Sequence, residues 1–561
     1  MECLVGTSDE SESSLRQLAD DEPQRHDLFI GLVAPIGSSR DDVVATLQEK
    51  LGPFGYGIER VHLAGLLDSI LADGESPLPG RSESGYYKAR MDAGDRLRNA
   101  AGDWSALAAL AVAHVTRRRA ERRSVDGSTR AKSTPVAYIF DSLKHPREAA
   151  LLRSVYGPAF WLVSIVQDIS ERKHNLTEDL SRQEGQFEQV PESRAVDLIT
   201  RDEADPDAAH GQHVRDVFSA ADFFLPVGRG IPWQAEVERL LRGLFDSPFL
   251  SPSADEEAMR HAQAAALRSA AIGRQVGAVI VPSAGTPFLL GTNEVPKPGG
   301  GQYREGDQPD HRDFQSGADP NPAYTDRVIR ELMNRLAKAG YFTPERNSAG
   351  GDSVLREATT PDAEGRSVLD GARAKSLIEF TRCLHAEQAA IVNAARTGVL
   401  IAGSRLYTTT FPCHECTKFI IGAGILEVQY IEPYPKSLAG ELFRDLIDTV
   451  PPLHSEASVE SMKKVPFRPF LGFAPSRYDE VFRAGRRRQG SALANFVPAD
   501  ACPIGRGWNE VAVTSRQDEV VVAVASVVQR IQTVDSANVA KADTNVAEDL
   551  TENSGRTGSE P

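Results

Sequence analysis

The chain reads as an α/β protein of two folded units flanked by polar ends, and three observations predict this. Its 561 residues are too many for one core at about 100–200 residues per domain. Apolar and charged residues make up 41% and 25%, the balance of a globular chain. Short continuous apolar runs alternate with stretches of helical periodicity, the pattern of a parallel sheet covered on both faces.

The first 25 residues are acidic and Ser-rich and are expected to form a polar tail rather than an export leader. The first α/β unit is expected over 26–245. It opens with the apolar run Asp27–Val33, passes through the Gly-containing turn Ala34–Asp42, and enters a helix with Val43, Val44, Leu47 and Leu51 on one face. Further strands are predicted at Pro135–Phe140, which ends on Asp141, and at Ala159–Val166 and Ala221–Pro226. The Pro- and Ser-rich segment Phe245–Ala254 marks a boundary.

The second unit is expected over 254–490. An Ala-rich helix, Asp255–Ile272, precedes a hairpin formed by Val276–Val281 and Phe288–Gly291. Residues 296–372 are rich in Gly, Pro and Asp around one helix, Thr325–Ala339, and read as a long insertion of the lid or binding-loop kind. The regular pattern resumes over Ala374–Tyr434. Residues 503–561 are expected to be a polar, largely disordered tail, apart from the periodic stretch Glu519–Ile531.

Composition narrows the function classes. The 63 Lys and Arg against 79 Asp and Glu leave a net charge of −16, which repels a nucleic-acid backbone except where a local basic face overrides it. Five cysteines cannot build a disulfide framework, so a reducing cytoplasm is the expected compartment. No apolar run approaches the roughly 20 residues of a membrane span.

The stretch Arg382–Ile431 carries the chemistry. It contains CLHAEQAAIVNAARTG, a strand at Arg405–Thr409, and FPCHECTKFIIGAGILEVQYI. His385 and Glu387 begin one helix, and Pro412 introduces a second with Cys413 and Cys416 one turn apart. Cysteines at a helix N-terminus face the same way and are stabilised there as thiolates. One imidazole and two thiolates hold Zn²⁺ with zero net charge and leave a fourth position for water. Glu387, two residues from the imidazole, is placed to move a proton rather than to bind the metal. The structural alternative is a closed zinc knuckle with His414 or Cys383 as fourth ligand, which needs no carboxylate at this position.

The pattern His385-x-Glu387 followed by Pro412-Cys413-x-x-Cys416 is that of the zinc nucleobase deaminases. Residues 255–485 resemble the deoxycytidylate deaminases, including VGAVIV at Val276–Val281 and GTNEVPKPGGGQY at Gly291–Tyr303. The resemblance implies an α/β/α sandwich and a sugar contact from Asn293. It also implies a reaction in which Glu387 passes a proton from activated water to cytosine N3 and later to the leaving amine. The whole chain, with its ending PFRPFLGFAPSRYDEVF at Pro466–Phe482, is similar to the two-domain deaminases of bacterial anti-phage systems. Those act on dCTP and dCMP and drain dCTP during infection. The resemblance further implies a homo-oligomer and an inhibitory partner, in some systems a small RNA.

In the first unit, Gly31, Gly37 and Ser38 lie where a phosphate-binding loop belongs, between a strand and a helix. No Lys follows Gly37, so the P-loop pattern is not met, and the unit reads as a degenerate kinase-like fold able to hold a regulatory nucleotide. Asp141 is placed like a metal-binding acid or a plain strand-end cap. Arg201–Asp202 and the basic run Thr116–Arg123 resemble phosphate-binding and lid elements, with a solvated helix face as the alternative for the run. Lys297, Arg304, Arg312 and Lys436 are basic positions near the expected pocket of the second unit. Three functions compete: a free-nucleotide deaminase, a polynucleotide deaminase acting on tRNA or single-stranded DNA, and a catalytically silent nucleotide-sensing regulator.

Overall fold

The computed structural model describes residues 25–69, 77–126, 134–184, 192–205, 211–283, 285, 288–317, 319–362, 365–453, 463–483, 485, 487–505 and 508–529. The expected tail over 1–25 therefore lies outside the described residues except for Arg25. Two compact units form: one from 1–252 with 471–561, the other from 253–470. Among the described residues no helix is long and apolar enough to cross a membrane.

The first unit is built on β1 (Leu28–Val33), β2 (Gly57–His62), β3 (Val136–Asp141), β4 (Phe160–Val166) and β5 (Phe223–Pro226). All pair in parallel, in the order β5-β4-β1-β3-β2. Every residue of β1 and β4 is buried, which is why both read as unbroken apolar runs. The pleat sends Leu28, Ile30 and Leu32 into one core and Phe29 and Val33 into the other. Helices Arg40–Leu51 and Trp233–Leu244 cover the first face, while Tyr86–Ala101, Ala106–Asp126 and Pro146–Tyr156 cover the second.

Two expectations about this unit are corrected. Residues 471–490, expected with the second unit, belong to the first. There β12 (Gly472–Phe473) adds an antiparallel edge strand to β5, and a Cβ at Gly243 would stand 2.3 Å from the fully buried Phe473 ring. Arg477 fixes this segment by donating to Asp222 (3.0 Å) and to the Phe160 carbonyl (2.9 Å). Nor is the segment after 503 structureless, because residues 510–529 are helical. Val513 enters the core, Gln517 accepts from Arg119 (2.9 Å), and Glu510 pairs with the same guanidinium (2.8 Å). The run Thr116–Arg123 therefore supplies an internal anchor at Arg119, which also bonds Asp27 (3.0 Å).

The second unit carries a mixed sheet. Its strands are β6 (Gly277–Val281), β7 (Leu289–Thr292), β8 (Arg405–Thr410), β9 (Glu427–Glu432), β10 (Ile447–Asp448) and β11 (Val465–Pro469), ordered β10-β11-β9-β8-β6-β7. β6 runs antiparallel to β7 and β8, while β8, β9, β11 and β10 are parallel. Helix Ala254–Ala266 starts from a capping box between Ser253 and Glu256. The insertion is more ordered than its composition indicates, with helices Pro320–Lys338, Pro344–Ala349 and Gly351–Thr359.

Two glycines let helices touch the sheet backbone. A Cβ at Gly277 would lie 1.9 Å from the Ala262 carbonyl oxygen, and one at Gly291 1.9 Å from that of Ala386. Gly277 pairs with Thr292 and Gly291 with Ala278, and cross-strand partners share a face. Helices Ala254–Ala266 and Ala386–Thr397 therefore lie on opposite faces of the β6–β7 hairpin. Gly291→Ala is expected to destabilise the fold by about 2 kcal/mol or more and to lower bound zinc, since His385 begins the displaced helix. Urea unfolding and metal content measured on one preparation check both outcomes.

Candidate active site

The three donors converge because two helices begin side by side. His385 is the N-cap of helix Ala386–Thr397, with its N–H donated to Gln388 Oε1 (3.2 Å). Just before it, Leu384 forms a two-way backbone bridge with Glu294, which extends the pairing past the end of β7. Cys413 is the N-cap of helix His414–Gly422, and its sulfur accepts the Cys416 N–H (3.4 Å). Thr417 Oγ1 donates to the Cys413 carbonyl (2.9 Å) and steadies that turn. The ligand-bearing segment follows directly from β8, where Phe411 N–H donates to the Glu432 carbonyl (2.7 Å).

His385 Nδ1 lies 3.2 Å from Cys413 Sγ and 3.3 Å from Cys416 Sγ. All three donor atoms fall within 4.8 Å of one another. A tetrahedral zinc site has N···S edges of about 3.6 Å, so this group fits the metal with little adjustment. Among the described residues it is the group of His, Cys, Asp and Glu donors that meets this spacing. Cys383 stands apart, donating its thiol to Asp313 Oδ2 (3.4 Å), and His414 is not in the group. A fourth protein ligand, as in a closed knuckle, is absent from the donor group among the described residues.

Glu387 sits in the first turn of helix Ala386–Thr397, 4% exposed, with Oε2 at 3.3 Å from Cys416 Sγ. Burial raises its pKa to about 6, assisted by the nearby Cys413 charge. The hydrogen bond with Cys416 lowers Cys413 to about 4, against burial, and His385 adds to the shift. Burial drives Cys416 strongly the other way. A divalent cation makes both sulfurs thiolates.

Asn293 sits at the turn into β6. Its Oδ1 accepts the Val276 N–H (2.7 Å) and its Nδ2 donates to the Arg274 carbonyl (2.8 Å), so the amide closes the turn into β6. Lys297 and Arg312 are paired with Asp307 (3.0 Å) and Asp310 (2.7 Å). Sequence reading missed Arg274, which pairs with Glu432 (3.0 Å), and Tyr434, whose hydroxyl feels the charges of both Cys413 and Arg274. No short motif marks either residue.

In the first unit, Gly37, Ser38 and Asp141 line a cavity of about 480 Å³ that is bounded also by Arg40, Tyr86 and Asp202. Gly31 does not line it. This glycine lies inside β1, where a Cβ would meet Leu143 at 2.7 Å and Phe160 at 2.9 Å, so close packing rather than phosphate contact requires it. Asp141 is fully buried against Arg40 (3.2 Å) and Arg60 (2.7 Å). Asp202, also fully buried, accepts the Ile36 N–H of the loop (2.8 Å) and pairs with Lys144 (2.8 Å). Arg201 binds Asp92, Asp95 and Asp205 at 2.7–2.9 Å.

Substitution of Cys413 or His385 by Ala is expected to leave less than about a tenth of an equivalent of zinc per chain, whereas Glu387→Gln retains it. Metal analysis of the purified variants checks this.

Comparison with known proteins places the donor group in a recognised region. Residues 252–432 match the family model "Cytidine and deoxycytidylate deaminase zinc-binding region". The chain is 52% identical to a probable deoxycytidylate deaminase of Drosophila melanogaster over 103 residues, 18% of this chain and 46% of that protein. It is 37% identical to ComE operon protein 2 of Bacillus subtilis (strain 168) over 105 residues, 18% of this chain and 54% of the relative. The chain thus spans about half the length of these curated relatives. The dCMP deaminase of the cyanophage S-TIM5 is similar at 17% identity over 39% of this chain and 99% of its own, with a TM-score of 0.19, too low to carry an argument. Residues 252–432, which hold His385, Glu387, Cys413 and Cys416, are therefore similar to the zinc-binding region of the cytidine and deoxycytidylate deaminases, and the cofactor of this region is Zn²⁺.

Proposed function

We propose that the second unit hydrolytically deaminates deoxycytidine nucleotides, converting dCMP, dCTP or both to the uracil nucleotide and ammonia. The observation that carries this reading is a buried carboxylate, Glu387, 3.3 Å from a metal-binding sulfur and not needed as a ligand. His385, Cys413 and Cys416 would hold the zinc. When bound, Zn²⁺ acts as a Lewis acid that makes water nucleophilic near neutral pH. Glu387 takes the proton released by that water and delivers it to cytosine N3, which makes C4 electrophilic. A C–O bond forms at C4, and Glu387 then carries the remaining proton of that hydroxyl to the exocyclic amine as the C–N bond breaks and the C4 carbonyl forms. A carboxylate raised toward neutral pH by burial suits both directions of transfer.

We extend the proposal to depletion of dCTP as a defence against phage, on the resemblance of the sequence to two-domain deaminases. The first unit reads as a degenerate kinase-like fold that holds a nucleotide without transferring phosphate. Serine rather than lysine follows Gly37, so the cation that phosphoryl transfer would use is missing from the loop. The net charge of −16 weighs against a polynucleotide substrate.

The test supplies zinc-loaded full-length protein with dCMP, dCTP, CTP and cytidine separately and follows uracil products. Turnover of dCMP or dCTP is expected, falling about 10³-fold or more in Glu387→Ala with its zinc retained. Turnover of single-stranded DNA or tRNA in place of every free nucleotide would overturn the proposal. Silence toward both would leave the nucleotide-sensing role.

A further inference from the structure

The proposed reaction needs one position on the metal kept for water, and the chain carries a third thiol close to the donor group. Cys383 stands two residues before His385 and is buried with Val295 and Tyr303. Leu384, between the two, exchanges both backbone hydrogen bonds with Glu294 (3.1 and 3.2 Å), and His385 has extended backbone angles (φ −71°, ψ 158°). In extended chain, side chains two apart project from the same side, roughly 7 Å apart along the strand. Zinc readily takes a third sulfur, and a fourth protein ligand closes the site as in structural zinc centres. The sulfur of Cys383 nevertheless stays outside the donor group.

What holds it back comes from the insertion. Asp313 begins the one-turn helix Asp313–Ser316 and is 5% exposed. Its Oδ2 accepts the Cys383 S–H (3.4 Å), and its Oδ1 accepts from the Arg382 guanidinium (2.9 Å). Arg382 is fixed in turn by donating to the His311 carbonyl (3.2 Å). One carboxylate therefore grips two consecutive residues of the segment that ends in His385, one through each oxygen. Further upstream Asn321 grips the backbone of the same segment. It donates to the Leu377 carbonyl (2.7 Å) and accepts the Phe380 N–H (3.2 Å). The insertion thus clamps the approach to the donor helix, and Asp313 is the part of the clamp that fixes the direction of the thiol.

We propose that Asp313 is a positioning residue that keeps Cys383 out of the zinc coordination shell, so that the fourth position stays open for water. The proposal rests on the zinc-deaminase reading of the second unit. Without the carboxylate, the Cys383 thiol turns toward the metal and loses its proton to solvent, and a sulfur–zinc bond forms as the bound water leaves.

The experiment counts zinc-bound sulfurs by X-ray absorption on purified full-length protein, beside zinc content and turnover of the better of dCMP and dCTP. Wild type and Cys383→Ser should both show two sulfurs per zinc and equal turnover. Asp313→Ala should keep its zinc, show three sulfurs and lose turnover at least about tenfold, because the water position is filled. Asp313→Leu, which fills the space without an acceptor, should do the same and stands in if the Ala variant does not fold. Asp313→Ala combined with Cys383→Ser should return to two sulfurs and recover turnover, which a merely structural loss at Asp313 would not do. Three sulfurs in the wild type, two in the Asp313 variants, or a loss of turnover that persists in the double variant would overturn the proposal. Failure of both Asp313 variants to fold would make the residue a structural one and would also overturn it. If zinc-loaded wild type turns over no nucleotide, the deaminase reading falls, and the sulfur count alone then decides the role of Asp313.

Discussion

Backbone contact between helix Ala386–Thr397 and β7 at Gly291 sets the geometry on which the donor group depends. Nothing larger than hydrogen fits between the strand and the Ala386 carbonyl. The helix meets the sheet through small residues, with Ala386, Ala389, Ala390 and Ala394 buried along it. A bulky core would have left tolerance in the position of the helix. This interface leaves none, and the helix start, with His385 and Glu387, is fixed in both height and rotation. The second helix is set by a different device, the parallel pairing of β8 with β9 followed by Pro412. Because Cys413 is an N-cap, its sulfur receives the Cys416 N–H as well as the field of the helix terminus, and the thiolate is stabilised before any metal arrives.

What was legible in the sequence is what short-range pattern encodes. β1, β3, β4 and β5 appear as continuous apolar runs because both faces of the sheet are covered, and the donors appear because their spacing along two helix starts is fixed chemistry. Long-range competition among similar signals is what misled. PFRPFLGF reads as one apolar stretch, yet Phe467 fills the core of the second unit and Phe473 that of the first. The helix over 510–529 is held by Glu510 and Gln517 against Arg119, polar contacts that no hydropathy pattern registers. Gly31 has the sequence setting of a phosphate loop, but its small size serves Leu143 and Phe160 instead. The amide of Asn293 bonds the backbone of 274–276, a contact that no sequence pattern marks.

The loop after β1 shows how an anion-binding geometry can be satisfied from within. Ile36 offers its N–H to Asp202, and Lys144 neutralises that carboxylate in a pair with no solvent access on the acid side. Asp41 and Asp42 occupy the first turn of the following helix, where negative charge is favoured by the dipole. Removing one partner of a buried pair leaves an uncompensated charge, so the arrangement resists piecemeal change and fixes the loop conformation.

The charge distribution of the second unit bears on what it can attract. A chain of net charge −16 presents a repulsive mean field to any phosphate, but beyond about 8 Å at physiological ionic strength that field is screened. Local arrangement therefore decides binding. Lys297, Arg312 and Arg382 are each tied to an aspartate, at 3.0, 2.7 and 2.9 Å. A single-stranded nucleic acid needs a continuous basic track with aromatic platforms beside it.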